Sequence, residues 1–181
     1  MATAHASATR GDADPDRLPD AELMGKGLAA LRIFFGLIAF SNGLAKLVGF
    51  GAYQVGPYKA NLINREETRS ILEGEAARNE LPLLPELVTG VLLPGYGFWQ
   101  WVITAVEIGV GALLILGLAS RGAALVGLGQ HLFLQTLYIS SGRWAFEQPH
   151  EWVPLLILTL VPSGFVWGLD RRIRRRPRFP F

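Results

Sequence analysis

WQWVITAVEIGVGALLILGLASR, residues 99–121, is the stretch whose reading decides the fold. It is an apolar run about as long as the roughly 20 residues a helix needs to cross a bilayer. Trp99 and Trp101 open it, Arg121 closes it, and one carboxylate, Glu107, sits near its middle. A charge at that depth is costly, so it requires a partner or a task.

The surrounding composition agrees with a membrane protein. The chain has 181 residues, 50% of them hydrophobic, which makes one small domain by length and is too apolar for an ordinary soluble protein. It contains no cysteine, so disulfides, thiolate metal sites and iron–sulfur clusters within the chain are excluded. Its Arg cluster abuts an apolar run and has no base-stacking platform, which argues against nucleic-acid binding.

Working outward, three further runs are apolar enough to span. The expected spans are residues 28–50, 99–119, 122–140 and 151–169, an all-α integral membrane protein built as a four-transmembrane-helix bundle. Residues 1–26 read as a flexible cytoplasmic N-terminal tail, 27–170 as the membrane domain, and 171–181 as an Arg-rich cytoplasmic tail. Span one carries Arg32, expected to snorkel to a headgroup layer, and Lys46, which shares a face with Asn42. Gly36, Ala39 and Gly43 offer close-approach positions for a neighbouring helix. Ser120–Gly122 reads as a tight turn, making spans two and three antiparallel neighbours. His131, Gln135 and Tyr138 fall on one face of span three. Pro162 is expected to kink span four.

The loop over residues 51–98 is expected to hold one or two short helices. Asn64, followed by Glu67 three residues on, resembles a capping box that starts a helix running to about Asn79. Residues 86–93 are apolar but too short to span, and read as an interfacial helix.

Charge placement orients the whole. Six Arg lie between Arg171 and Arg178. By the positive-inside rule that tail is cytoplasmic, and with four spans the N-terminus joins it, leaving the long loop outside. Trp99, Trp101, Trp144 and Trp152 then form an outer aromatic belt, and Trp167 marks the inner interface. The basic run, including Arg171, Arg172, Arg174, Arg175 and Arg176, suits anionic lipid headgroups. The location this implies is the cytoplasmic membrane of a prokaryote, crossed several times.

Three segments carry a family resemblance. LRIFFGLIAFSNGLAKL (residues 31–47) resembles the first helix of DoxX-type membrane proteins. VEIGVGALLILGLASRGAAL (106–125) resembles the family's mid-helix Glu followed by LxLGLxxR, and SGFVWGLDRRI (163–173) is similar to its terminal Gly-Leu-Asp pattern. The long first loop is more like the DoxD branch, named for a subunit of thiosulfate:quinone oxidoreductase. The resemblance implies a four-helix subunit of a membrane redox complex, with other subunits as partners and a bound quinone as its only cofactor.

The residues themselves leave the role open. Glu107 and His131 are the candidate catalytic groups, able to exchange protons with quinone carbonyls. Lys46, Asn42, Gln135 and Tyr138 are the candidate binding groups. No metal site is expected, and a single His within the spans excludes a bis-His haem in this chain. The same residues equally suit a non-catalytic accessory subunit, with Glu107–Lys46 as a buried ion pair and interhelical hydrogen bonds fixing register. A small transporter is the weakest reading, because four spans without an inverted repeat do not fit that architecture.

Overall fold

The computed structural model describes residues 21–173 and 176–181; residues 1–20, and Arg174 and Arg175 of the basic run, lie outside the described residues. The chain is mostly helical. Helix α1 spans Ala21–Val48 and begins inside the segment expected to be tail. Strong helix formers and a Glu22–Lys26 pair at 2.8 Å extend it toward the N-terminus. Strands β1 (Ala52–Val55) and β2 (Tyr58–Asn61) form an antiparallel hairpin pairing Ala52 with Asn61. Helix α2 (Arg65–Ala76) carries the expected capping box: Asn64 Oδ1 accepts from Glu67 N, and the Glu67 carboxylate accepts from Asn64 N, both at 3.0 Å. A short α3 (Leu84–Leu87) continues into a π-helical turn, Val88–Leu92. Helices α4 (Tyr96–Leu116), α5 (Ser120–Leu137) and α6 (Pro149–Leu160) follow, then a 3-10 turn at Ser163–Phe165 and a short α7, Asp170–Ile173.

Two helices, α1 and α4, are long and apolar enough to cross a membrane by length and composition. The expected fourth span is broken rather than kinked. Pro162 has no N–H to donate, and Val161 before it is extended at φ −106° and ψ 132°. Residues 161–169 therefore fold back over the end of the bundle instead of prolonging α6. The tight turn also sits earlier than Ser120–Gly122. Gly117 at φ +60° ends α4, Ala119 at φ +46° precedes α5, and Arg121 lies in the first turn of α5.

The four long helices pack as an antiparallel cycle. Along α1 and α4, Gly36 meets Ile115, Phe40 meets Gly111 and Gly43 meets Ile108, so numbers rise on one helix as they fall on the other. A Cβ on Gly111 would stand 2.4 Å from the Phe40 backbone nitrogen, so only glycine permits this approach. Gly127 of α5 meets Val110 of α4 and Leu155 of α6. One core, centred on Phe35, Val110, Leu114, Leu128 and Leu158, fills the bundle. A second, with Leu72, Val88, Tyr96 and Leu137, seats α2 and the π turn on the bundle's end.

Candidate functional site

The polar residues of α1, α4 and α5 meet at two places rather than one. The first joins Lys46, Glu107, Gln130 and Asn42. Gly43 on α1 brings that helix against the Cβ of Glu107. Lys46 Nζ then lies 2.8 Å from Glu107 Oε2, with side-chain exposures of 3% and 11%. The ammonium donates to Ile63 O at 2.8 Å, and Ile63 N donates to Asn42 Oδ1 at 3.3 Å. From α5, Gln130 Nε2 donates to Glu107 Oε1 at 3.0 Å. Thr104 and Gly111 share the buried face of Glu107. Each charge has a partner and all three helices contribute a polar group, so the ions meet the condition for burial. The set is a clasp across α1, α4 and α5 that also pins the loop strand at Ile63.

His131 is not part of that clasp. It is one residue beyond Gln130, about 100° around the helix, and so faces α6. Its Nδ1 lies 3.0 Å from Glu151 Oε2. A carboxylate oxygen accepts, so Nδ1–H donates and Nε2 remains an acceptor. The pair stands at one end of a cleft of about 300 Å³ between α1 and α6, walled by Phe34, Phe35, Ile38 and Leu155. That volume and an apolar wall with a few polar groups are typical of small-molecule sites. His150 also lines the cleft; its Nδ1–H donates to Phe146 O at 3.1 Å, which leaves its Nε2 free as well.

The remaining expected site residues lie apart from both places. Gln135 Oε1 accepts from Trp152 Nε1 at 3.2 Å. The Tyr138 ring lies 4.3 Å beneath the Arg143 guanidinium, which pairs with Glu147 and Glu75 at 2.6 and 3.3 Å. These contacts tie α5 to α6 and to α2. Arg171, Arg172 and Arg176 are exposed at the opposite end.

Two buried charges were not expected as partners. Arg32 is fully buried, not snorkelling, and donates to Trp167 O at 3.1 Å from between Gly117 and Gly168. Asp170, also fully buried, accepts from Ala119 N at 2.7 Å, Ser120 N at 3.2 Å and Ser120 Oγ at 2.7 Å. Arg32 of α1 and the segment 163–173 thus meet near the start of α5. Among the described residues, no group of His, Cys, Asp and Glu is arranged to hold a metal ion.

Comparison with protein-family models, with curated proteins and with solved structures finds no match to this chain.

Proposed function

We propose that this chain is an integral membrane subunit of the DoxX/DoxD kind, working in a quinone-linked oxidoreductase complex. The α1–α6 cleft takes the quinone ring. The observation that carries the reading is the His131–Glu151 pair at the polar end of an otherwise apolar, Phe-walled cleft. Membrane residence is supported by the outward faces of the bundle. Phe34, Leu37, Leu47, Val126 and Leu160 are each at least 47% exposed, so large apolar side chains line the outside of the bundle. In the membrane, α5 and the shorter α6, which covers about 18 Å and is completed at its inner end by residues 161–169, make the third and fourth crossings; the loop layer faces outside and both termini face the cytoplasm.

A quinone supplies two-electron, two-proton chemistry, and its electrons pass to or from a partner subunit. The chain's own part is to bind and to move protons. Phe34 and Phe35 would hold the ring, and as a quinone is reduced His131, protonated from solvent with Glu151 balancing the imidazolium charge, would deliver its Nε2 proton to a ring oxygen. Glu107 and Lys46 hold the helices and take no part in the proton's path.

The closure of the Lys46–Glu107–Gln130 clasp favours a second reading, a non-catalytic accessory subunit. One experiment separates them. The complex is purified in mild detergent with His131→Gln, Glu151→Gln or Glu107→Gln, and reduction of a short-chain quinone is followed. The first two variants should assemble normally and lose at least about 100-fold in rate, the low end of a general acid–base group's contribution. Glu107→Gln should affect assembly more than turnover. Normal turnover in both His131→Gln and Glu151→Gln leaves only the accessory reading.

A further inference from the structure

At the end of the bundle opposite the loop layer, a groove of about 750 Å³ opens between the first turns of α1, the end of α4 and the folded-back segment 165–172. Its floor is apolar, with Leu116 and Phe165; its rim is basic, with Lys26, Arg171 and Arg172. Among the described residues Glu22 is the acid on the rim, and it lies 2.8 Å from Lys26. Arg171 and Arg172 have no carboxylate partner among the described residues.

The groove is preformed. Leu169 N donates to Leu116 O at 3.0 Å and Asp170 N to Gly117 O at 2.8 Å, which stitches the segment to the end of α4. Arg32 draws the Trp167 carbonyl inward at 3.1 Å. Trp167 adopts φ +51°, a left-handed conformation that large side chains rarely take, and its indole remains 62% exposed beside the groove. A fully buried arginine thus holds an aromatic ring outward at the level where the apolar runs of α1 and α4 end. Amphipathic rings and adjacent cations at that level match the two parts of a phospholipid head: glycerol and first acyl carbons below, phosphate above.

We propose that this groove is a specific site for the phosphate-bearing headgroup of an anionic phospholipid, with Arg171, Arg172 and Lys26 on the phosphate and Trp167 and Phe165 against the glycerol region. The assignment rests on the membrane reading above. It differs from general attraction to a basic tail, because it requires the groove's own cations and ring.

The full chain, purified in a neutral detergent, is mixed with phosphatidylglycerol or phosphatidylcholine of matched chains, and retained lipid is counted by native mass spectrometry. Phosphatidylglycerol should be retained at least about tenfold more than phosphatidylcholine. The double variant R171Q/R172Q should lose roughly 10- to 30-fold, from up to about fivefold per surface cation. Both residues are exposed, so its thermal unfolding should be unchanged. Trp167→Gly, which also relieves the backbone, should weaken binding with no loss of stability. The double variant R176Q/R178Q, outside the groove, should change binding less than about threefold. Equal retention of the two lipids, or equal loss in R176Q/R178Q, overturns the proposal. Displacement of phosphatidylglycerol by millimolar inorganic phosphate also overturns it, in favour of a free-phosphate site. The membrane reading is checked separately by alkaline carbonate washing of membranes that hold the wild-type chain. Release there refutes that reading, whereas retention with failed lipid tests refutes only the groove.

Discussion

The Lys46–Glu107 pair shows what one buried charge demands of its surroundings. Deleting one member of such a pair leaves the other without compensation, at a cost of about 3–5 kcal/mol, whereas replacing both with apolar groups is often neutral. Lys46→Met should therefore lower unfolding stability in detergent by several kcal/mol, and adding Glu107→Leu should restore most of it. Matching thermal unfolding for Lys46→Met and wild type would show that the pair is not coupled. The sequence pointed correctly to Lys46 and Glu107 as partners, through their polar faces. It did not single out Gln130, whose place opposite Glu107 depends on where the turn lies. In antiparallel neighbours, facing residue numbers sum to a constant fixed by the turn. A turn centred on Arg121 sets Gln135 opposite Glu107; the observed turn at Gly117–Ala119 sets Gln130 there instead. A shift of two to three residues at the turn thus doubles to five at mid-helix, and His131 faces the cleft rather than the clasp.

Helix α5 is capped at both ends by residues distant in sequence. At its C-terminus, Asn79 Nδ2 donates to Thr136 O and Leu137 O, both at 2.8 Å, and its Oδ1 accepts from Leu81 N at 2.9 Å. At its N-terminus, the Asp170 carboxylate meets the free N–H groups of Ala119 and Ser120 and the positive end of the helix dipole. Asn79→Ala should cost about 1–2 kcal/mol. Asp170→Asn should cost about 2–3 kcal/mol, because it weakens charge-assisted bonds and removes the anion nearest Arg32. With 18 residues between them the two ends are about 27 Å apart, so the losses should add in the double variant. A large departure from additivity in chemical unfolding would mean that the two caps are coupled through α5. Local signals announced the start of α2, since Asn64 and Glu67 lie three residues apart. They were silent on α5, whose caps come from other elements. The hairpin was also hidden: its strands have four residues each, and Gly56-Pro57 between them reads equally well as a loop.

For the molecule as a whole, the apolar runs made the helices legible, and the polar positions along them identified the faces that meet. Less than a quarter of the most apolar window of α1 or of α4 is buried within the chain, so each must find its solvent elsewhere. How the loop layer sits was not legible, because it depends on pairs far apart in sequence: Ile63 with Asn42 and Lys46, Glu75 with Arg143, Asn79 with the end of α5. The absence of cysteine makes sidedness directly measurable. Gly74 on α2 has open space around it, and Arg176 is exposed near the other end. A membrane-impermeant maleimide should label Gly74→Cys on intact cells, and Arg176→Cys only after permeabilisation. Labelling of both from one side would overturn the proposed orientation.

The distance between Ser120 and Asp170 along the chain also sets a schedule. Asn79 has left the ribosome before α5 is made, so its amide is waiting when the last carbonyls of that helix form. Asp170 follows Ser120 by 50 positions, about 3–10 s of synthesis at ordinary rates. During that interval α5 has bare N–H groups at its start and Arg32 lacks its nearby carboxylate. A nascent chain that stalls short of Asp170 therefore presents an unfinished helix to proteases and chaperones, and a finished one withdraws it.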